Sequence, residues 1–101
     1  MTVLEKKEIV KEIVTKYFLE NAEYFISNKD VVNWEMDHIV NIGTSILCTK
    51  WGIGPTGGGF VEAVVENNLS RAVSNADVTN QYALRFYCAM LYNVGMPSEL
   101  V

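Results

Sequence analysis

The sequence predicts an all-α domain: a small bundle of about four helices, with a glycine-rich connector between the second and the third. Three observations predict it. Apolar residues recur at helical rather than alternating spacing through most of the chain. Helix-start and helix-stop residues punctuate those stretches. Half of the 101 residues are hydrophobic, which suits one packed core in a single domain over 1–101. Within that domain, residues 2–50 read as N-terminal amphipathic helices and 52–59 as the glycine turn, with further helices following to about 97.

The first helix is expected from about Val3 to Ile26. Thr2 with Glu5 three residues on forms a capping box, each side chain meeting a backbone N–H at the helix start. Ile9, Val10, Ile13, Val14, Tyr17 and Phe18 recur at helical spacing, and Glu8, Glu12 and Lys16 lie on the other side. Ser27-Asn28-Lys29-Asp30 reads as a loop. A second helix runs from Val31 or Trp34 to about Thr49, capped by Asp30 or Asn33. Its stripe is Met36, Ile39, Val40, Gly43, Ile46 and Leu47. Gly43 within it either admits a neighbouring helix or weakens this one by about 1 kcal/mol. Ser45–Trp51 also fits a short strand, although no partner with period-two alternation appears elsewhere.

After the turn, Phe60–Glu66 reads as a short helix ending near Asn67-Asn68, and Ser70–Ala76 as a further turn or connector. Asp77 is the N-cap of a long last helix, and Gly95 with Pro97 is its stop, glycine tolerating the left-handed cap. That helix is apolar nearly all round, from Tyr82 and Ala83 through Phe86, Tyr87 and Cys88 to Leu91, Tyr92 and Val94. Such a helix is central in its fold or is covered by another subunit, so a homo-oligomer is expected.

Several function classes fall away. A formal charge of −4 argues against duplex DNA or RNA as a partner, since phosphate-backbone affinity comes from clustered Lys and Arg. No run approaches the roughly 20 apolar residues of a membrane span, and Met1–Glu8 is charged where a secretory signal is apolar. Cys48 and Cys88 each sit in an apolar run and read as buried free thiols of a reducing, cytoplasmic compartment. His38 with Glu35 shares a helix face, but one histidine without a second ligand at metal spacing does not make a metal site. No nucleophile, base and oxyanion site come together, so neither catalysis nor a cofactor is expected. Glu62 and Glu66, four apart on one face, fit an acid–base pair less well than a solvated helix face.

The unusual feature is the turn Gly52-Ile53-Gly54-Pro55-Thr56-Gly57-Gly58-Gly59-Phe60, which holds five of the seven glycines. Glycines let a ligand approach the main chain, and the first N–H groups of the following helix are unpaired, which together make an anion seat. The alternative is a tight helix connection with a cap at Gly52. Gly52-x-Gly54-x-x-Gly57 matches the dinucleotide fingerprint, and Asp77 follows at a suitable distance, but the strands that motif requires are missing. The phosphate-binding P-loop spacing fails too, because Gly58-Gly59 replaces its Lys-Ser/Thr pair.

The ligand site expected from these residues comprises Thr56, Gly57, Gly58, Gly59 and Phe60 at the turn, with Arg71 or Arg85 supplying charge and Tyr82 stacking on a base. The aromatic and arginine residues of the last helix equally suit a core or an interface. Asn67, Asn68, Asn75, Asn80 and Asn93 serve either to read base edges or, for most of them, to cap helices.

From Gly54 to Pro97 the chain resembles a family of small phage and prophage proteins. The resemblance rests on Pro55-Thr56-Gly57-Gly58-Gly59-Phe60, Glu66-Asn67-Asn68-Leu69, Ala76-Asp77-Val78-Thr79-Asn80 and Leu91-Tyr92-Asn93 with Pro97, in family order. One extra glycine in the turn departs from the pattern, and only Pro97-Ser98-Glu99 echoes the Trp-Gly-Ser-Pro-Glu-like tail of relatives. The resemblance implies a phage accessory protein in the host cytoplasm. Two roles follow as expectations: sequestration of a nucleotide or cyclic-nucleotide immune signal, or inhibition of a host protein by a helical module whose acidic first helix is the working surface.

Overall fold

Thr2 opens the first helix as its sequence promises. In a computed structural model describing residues 1–101, α1 spans Val3–Phe25. The Thr2 hydroxyl accepts from the Glu5 N–H and the Glu5 carboxylate from the Thr2 N–H, both at 3.1 Å. Those bonds hold the Glu5 carboxyl below its usual range. Val10, Val14, Phe18 and Ala22, each one turn apart, form the buried edge of α1.

The all-helical class holds, but the chain forms six α-helices rather than about four. The expected second helix is two, α2 (Lys29–Trp34) and α3 (Met36–Trp51), separated by Glu35 alone. Asn28 rather than Asp30 or Asn33 caps α2, accepting from the N–H groups of Asp30 and Val31. Glu35 has left helical geometry, at φ −114° and ψ 16°. Its N–H still closes α2 on Val31 and its carbonyl starts α3 at Ile39. Helical periodicity runs through a one-residue break of this kind without interruption, which is why the sequence hides it. Ser45–Trp51 is helix, not strand.

The remaining helices are α4 (Gly59–Val65), α5 (Leu69–Asn75) and α6 (Val78–Asn93), followed by a 3-10 turn at Ser98–Leu100 that buries Leu100. Two of the junctions share one device. At Gly52, φ +70°, the N–H groups of Gly52 and Ile53 fold back on the carbonyls of Thr49 and Cys48. At Asn67, φ 60°, those of Asn67 and Asn68 fold back on Val64 and Ala63. Both are Schellman ends, with a left-handed residue closing the last turn. Asn68 then caps α5 and Asp77 caps α6, accepting from Asn80 at 2.7 Å. Gly95 does not take the left-handed role expected of it; α6 ends through an extended Val94.

The long helices α1, α3 and α6 make the bundle. His38 and Asp77, at the starts of α3 and α6, are bonded at 2.9 Å, and Lys50 Nζ near the end of α3 donates to the Leu91 carbonyl near the end of α6. These two helices therefore run parallel, and α4 and α5 carry the chain back between them. The α1 helix runs antiparallel to α6, with Tyr17 beside Asn93 and Phe25 beside Arg85. Phe86 packs between Tyr17 and Phe18, with ring centroids 5.6 Å from each. Tyr87 faces the other way, edge-on to Phe60, and its buried hydroxyl donates to Asn80 Oδ1 at 2.7 Å. Asn80 is the one buried polar residue, and no buried side-chain nitrogen or oxygen is left without a partner. No helix is long and apolar enough to cross a membrane.

Gly43 sits where α1, α3 and α6 meet. A Cβ there would lie 2.8 Å from Val14 Cγ1 and 3.4 Å from Met90 Cε. Val14 is β-branched and fully buried, and cannot swing aside. Gly43→Ala is therefore expected to lower stability by about 1 kcal/mol, crowding outweighing the gain in helix propensity. Gly95→Ala, in open space, is expected to be neutral within about 0.5 kcal/mol. Urea denaturation of the two variants beside the parent checks both.

Candidate functional site

The glycine turn is packed at Ile53, Gly57 and Phe60 and exposed between them. The Gly57 N–H donates to Thr49 Oγ1 at 2.9 Å, and a Cβ on Gly57 would lie 2.6 Å from both Ser45 Oγ and Val61 Cγ1. That glycine is required by the close approach of the turn to α3 and α4. Gly58 opens to solvent, and the Cβ position of Gly59 faces the Asn75 side chain at 3.2 Å. Phe60 is buried. The exposed Thr56 hydroxyl donates to Glu62 Oε1 at 3.4 Å. A carboxylate of the protein thus stands in the first turn of the short helix α4, where an anionic ligand would have to sit.

Each charged candidate already has a partner within the chain. Arg71 spans Glu62 and Glu66, at 3.4 and 3.3 Å. The glutamate pair on α4 is therefore an arginine clamp across the α4–α5 junction, part-exposed and worth no more than about 1 kcal/mol. Arg85 lies over the Phe25 ring, 5.6 Å from its centroid, at the C-terminal end of α1. Gly54, by contrast, packs on Val3 and Lys7 at the N-terminal end. Lys7 and Phe25 lie roughly 27 Å apart along α1 at 1.5 Å per residue. Tyr82 is half-exposed one turn before Arg85. Arg71 reaches the turn through Glu62, the carboxylate that Thr56 also bonds, but Tyr82 and Arg85 do not join them, because α6 presents Leu84, Cys88 and Leu91 toward α4 and α5 and carries Tyr82 and Arg85 on another side. None of the five main surface depressions is lined by Thr56–Phe60, Arg71, Tyr82 or Arg85.

His38 bonds to Asp77 rather than pairing with Glu35, and no cluster of three metal-ligating side chains exists. Asp77 does two things at once, one oxygen capping α6 and the other holding α3.

What the structure offers instead is a groove between the α4–α5 corner and α6. One stretch, about 290 Å³, is lined by Lys50, Val64, Val65, Asn67, Cys88, Leu91 and Tyr92. A smaller one continues it past Leu69, Ala72 and Leu84, sharing Val64, Asn67 and Cys88. The groove exists because the left-handed Asn67 turns the chain sharply between α4 and α5. Cys88 is exposed in it, contrary to the expected burial, whereas Cys48 is buried in the core. The signal was present in the all-round apolarity of α6, but hydropathy does not distinguish a core face from an exposed one. No protein-family model, curated protein or solved structure matches this chain.

The thiols provide a direct check of this geometry. Desolvation pushes both thiols up, that of Cys48 against a small opposing pull from Lys7. A raised pKa leaves less thiolate at a given pH, so alkylation of Cys88 should still be accelerating above about pH 8.5, where a free thiol is half ionised. Native protein treated with iodoacetamide should take up one equivalent, located at Cys88 by peptide mapping. Cys48 should react only when denaturant opens the core.

Proposed function

We propose that this chain is a non-catalytic helical interaction module that binds a host protein and inhibits or redirects it, a role its resemblance to small phage proteins implies. The supporting observation is the division of α6. Its core side is taken by Ala83, Phe86, Tyr87 and Met90, yet Val78, Tyr82, Cys88 and Tyr92 stand in water, Tyr92 at 91% of its full exposure. Tyrosines left in contact with solvent, Tyr92 on the apolar groove and Tyr82 on the outward side, have the composition of a binding surface. On this reading the glycine turn is a connector, its Gly57 fixed by contact with Ser45 and Val61. The acidic outer face of α1 contributes charge, with Glu8, Glu12 and Glu20 exposed there.

Sequestration of a nucleotide is the competing role, and one preparation addresses both. Tagged protein expressed in a bacterial host should retain a stoichiometric host protein through washing, and the heat-released supernatant should contain no nucleotide by mass spectrometry. Release of a stoichiometric nucleotide, with thermal stabilisation of roughly 2.7 kcal/mol when it is restored at 100 times its dissociation constant, would replace the interaction reading with the sequestering one.

A further inference from the structure

The outward side of α6 carries a regular pattern. Val78, Tyr82, Arg85, Ala89 and Tyr92 are spaced by four, three, four and three residues, the repeat that keeps side chains along one seam against a second helix. Val78 is 68% exposed, Tyr82 46% and Tyr92 91%, with Arg85 exposed and Ala89 part-buried. From the rest of the chain, the Phe25 ring of α1 reaches this stripe at Arg85. Its centre is a cation: Arg85 takes part in none of the ion pairs of the protein and is held only by the Phe25 ring. A helix laid on this seam with only apolar residues would strand that charge as it excludes water, which strongly disfavours docking. A helix that presents a carboxylate at that point would complete a charge-assisted contact.

Self-pairing of α6 does not meet this requirement. Pairing α6 with itself in register, parallel or antiparallel about the seam centre, sets Arg85 against its own counterpart, and like charges across an interface repel. Tyrosine and arginine are also the residues that dominate binding energy at protein interfaces. Accepting the interaction-module reading, we infer that the Val78–Tyr92 stripe of α6 is a docking seam for an amphipathic helix of the partner, with an acidic residue of that helix opposite Arg85.

Two synthetic helical peptides of about three heptads test it, with leucine at the seam positions and either Glu or Lys at the central one. Titrated by fluorescence anisotropy, the Glu peptide should bind this protein at least tenfold more tightly than the Lys peptide, and Arg85→Glu should reverse that order. Arg85 is exposed, so the variant should keep its melting curve; if it does not, Arg85→Gln is used, which should abolish the discrimination without reversing it. Failure of both peptides to bind, equal binding of the two, or a preference unchanged by the Arg85 variants overturns the seam. The host-protein capture separates this from the broader reading. Retention of the same host protein by parent and Arg85→Glu overturns the seam and leaves the interaction module standing. Peptide discrimination without any captured host protein supports the seam and overturns the module.

Discussion

Three helices share one missing side chain. At Gly43 the backbone of α3 comes close enough to Val14 of α1 and Met90 of α6 that a methyl group would not fit, and all three residues are buried. That contact draws α6 onto the α1–α3 pair and fixes which way its other residues face. Once Met90 is pinned against Gly43, Phe86 one turn earlier falls between Tyr17 and Phe18, and Tyr87 swings toward Phe60 on α4. The outward position of Tyr82 and Arg85 follows from the same rotation.

A parallel pair such as α3 and α6 needs a return segment, and here it is a chain of capped pieces rather than a single crossover helix. Gly52 ends α3, Asn67 ends α4, Asn68 starts α5 and Asp77 starts α6. Short helices contribute little stability by themselves. Each corner is therefore secured by a side chain or a left-handed residue, and the Arg71 clamp ties the last turn of α4 to α5. Gly57 answers the same need, since there the connection lies flat on Ser45 and Thr49.

The parts of this architecture written in adjacent residues could be read in the sequence. Thr2 with Glu5, Asp77 as the last N-cap, the Gly52 stop and the stripe from Val10 to Phe18 all depend on neighbours within one turn. The parts that depend on distant chain could not. Glu35 breaks a helix without a proline or glycine to announce it. Arg71 and Arg85 look free in sequence and are each taken by a group that the fold brings near: Glu62 and Glu66 across the α4–α5 corner, and Phe25 from the other end of the chain. Cys88 reads as buried in the sequence and is exposed, because hydropathy reports the chemistry of a side chain and not its direction.

The parallel arrangement of α3 and α6 has an electrostatic consequence. Peptide dipoles in two parallel neighbours add side by side, so one end of the pair carries roughly one positive charge in total and the other end roughly one negative. The chain sets opposite charges at each pole: Asp37 and Asp77 at the starts of the two helices, and Lys50 on the Leu91 carbonyl near their ends. Side chains at both poles thus neutralise a backbone field that this parallel pair creates, and the antiparallel α1 opposes it further.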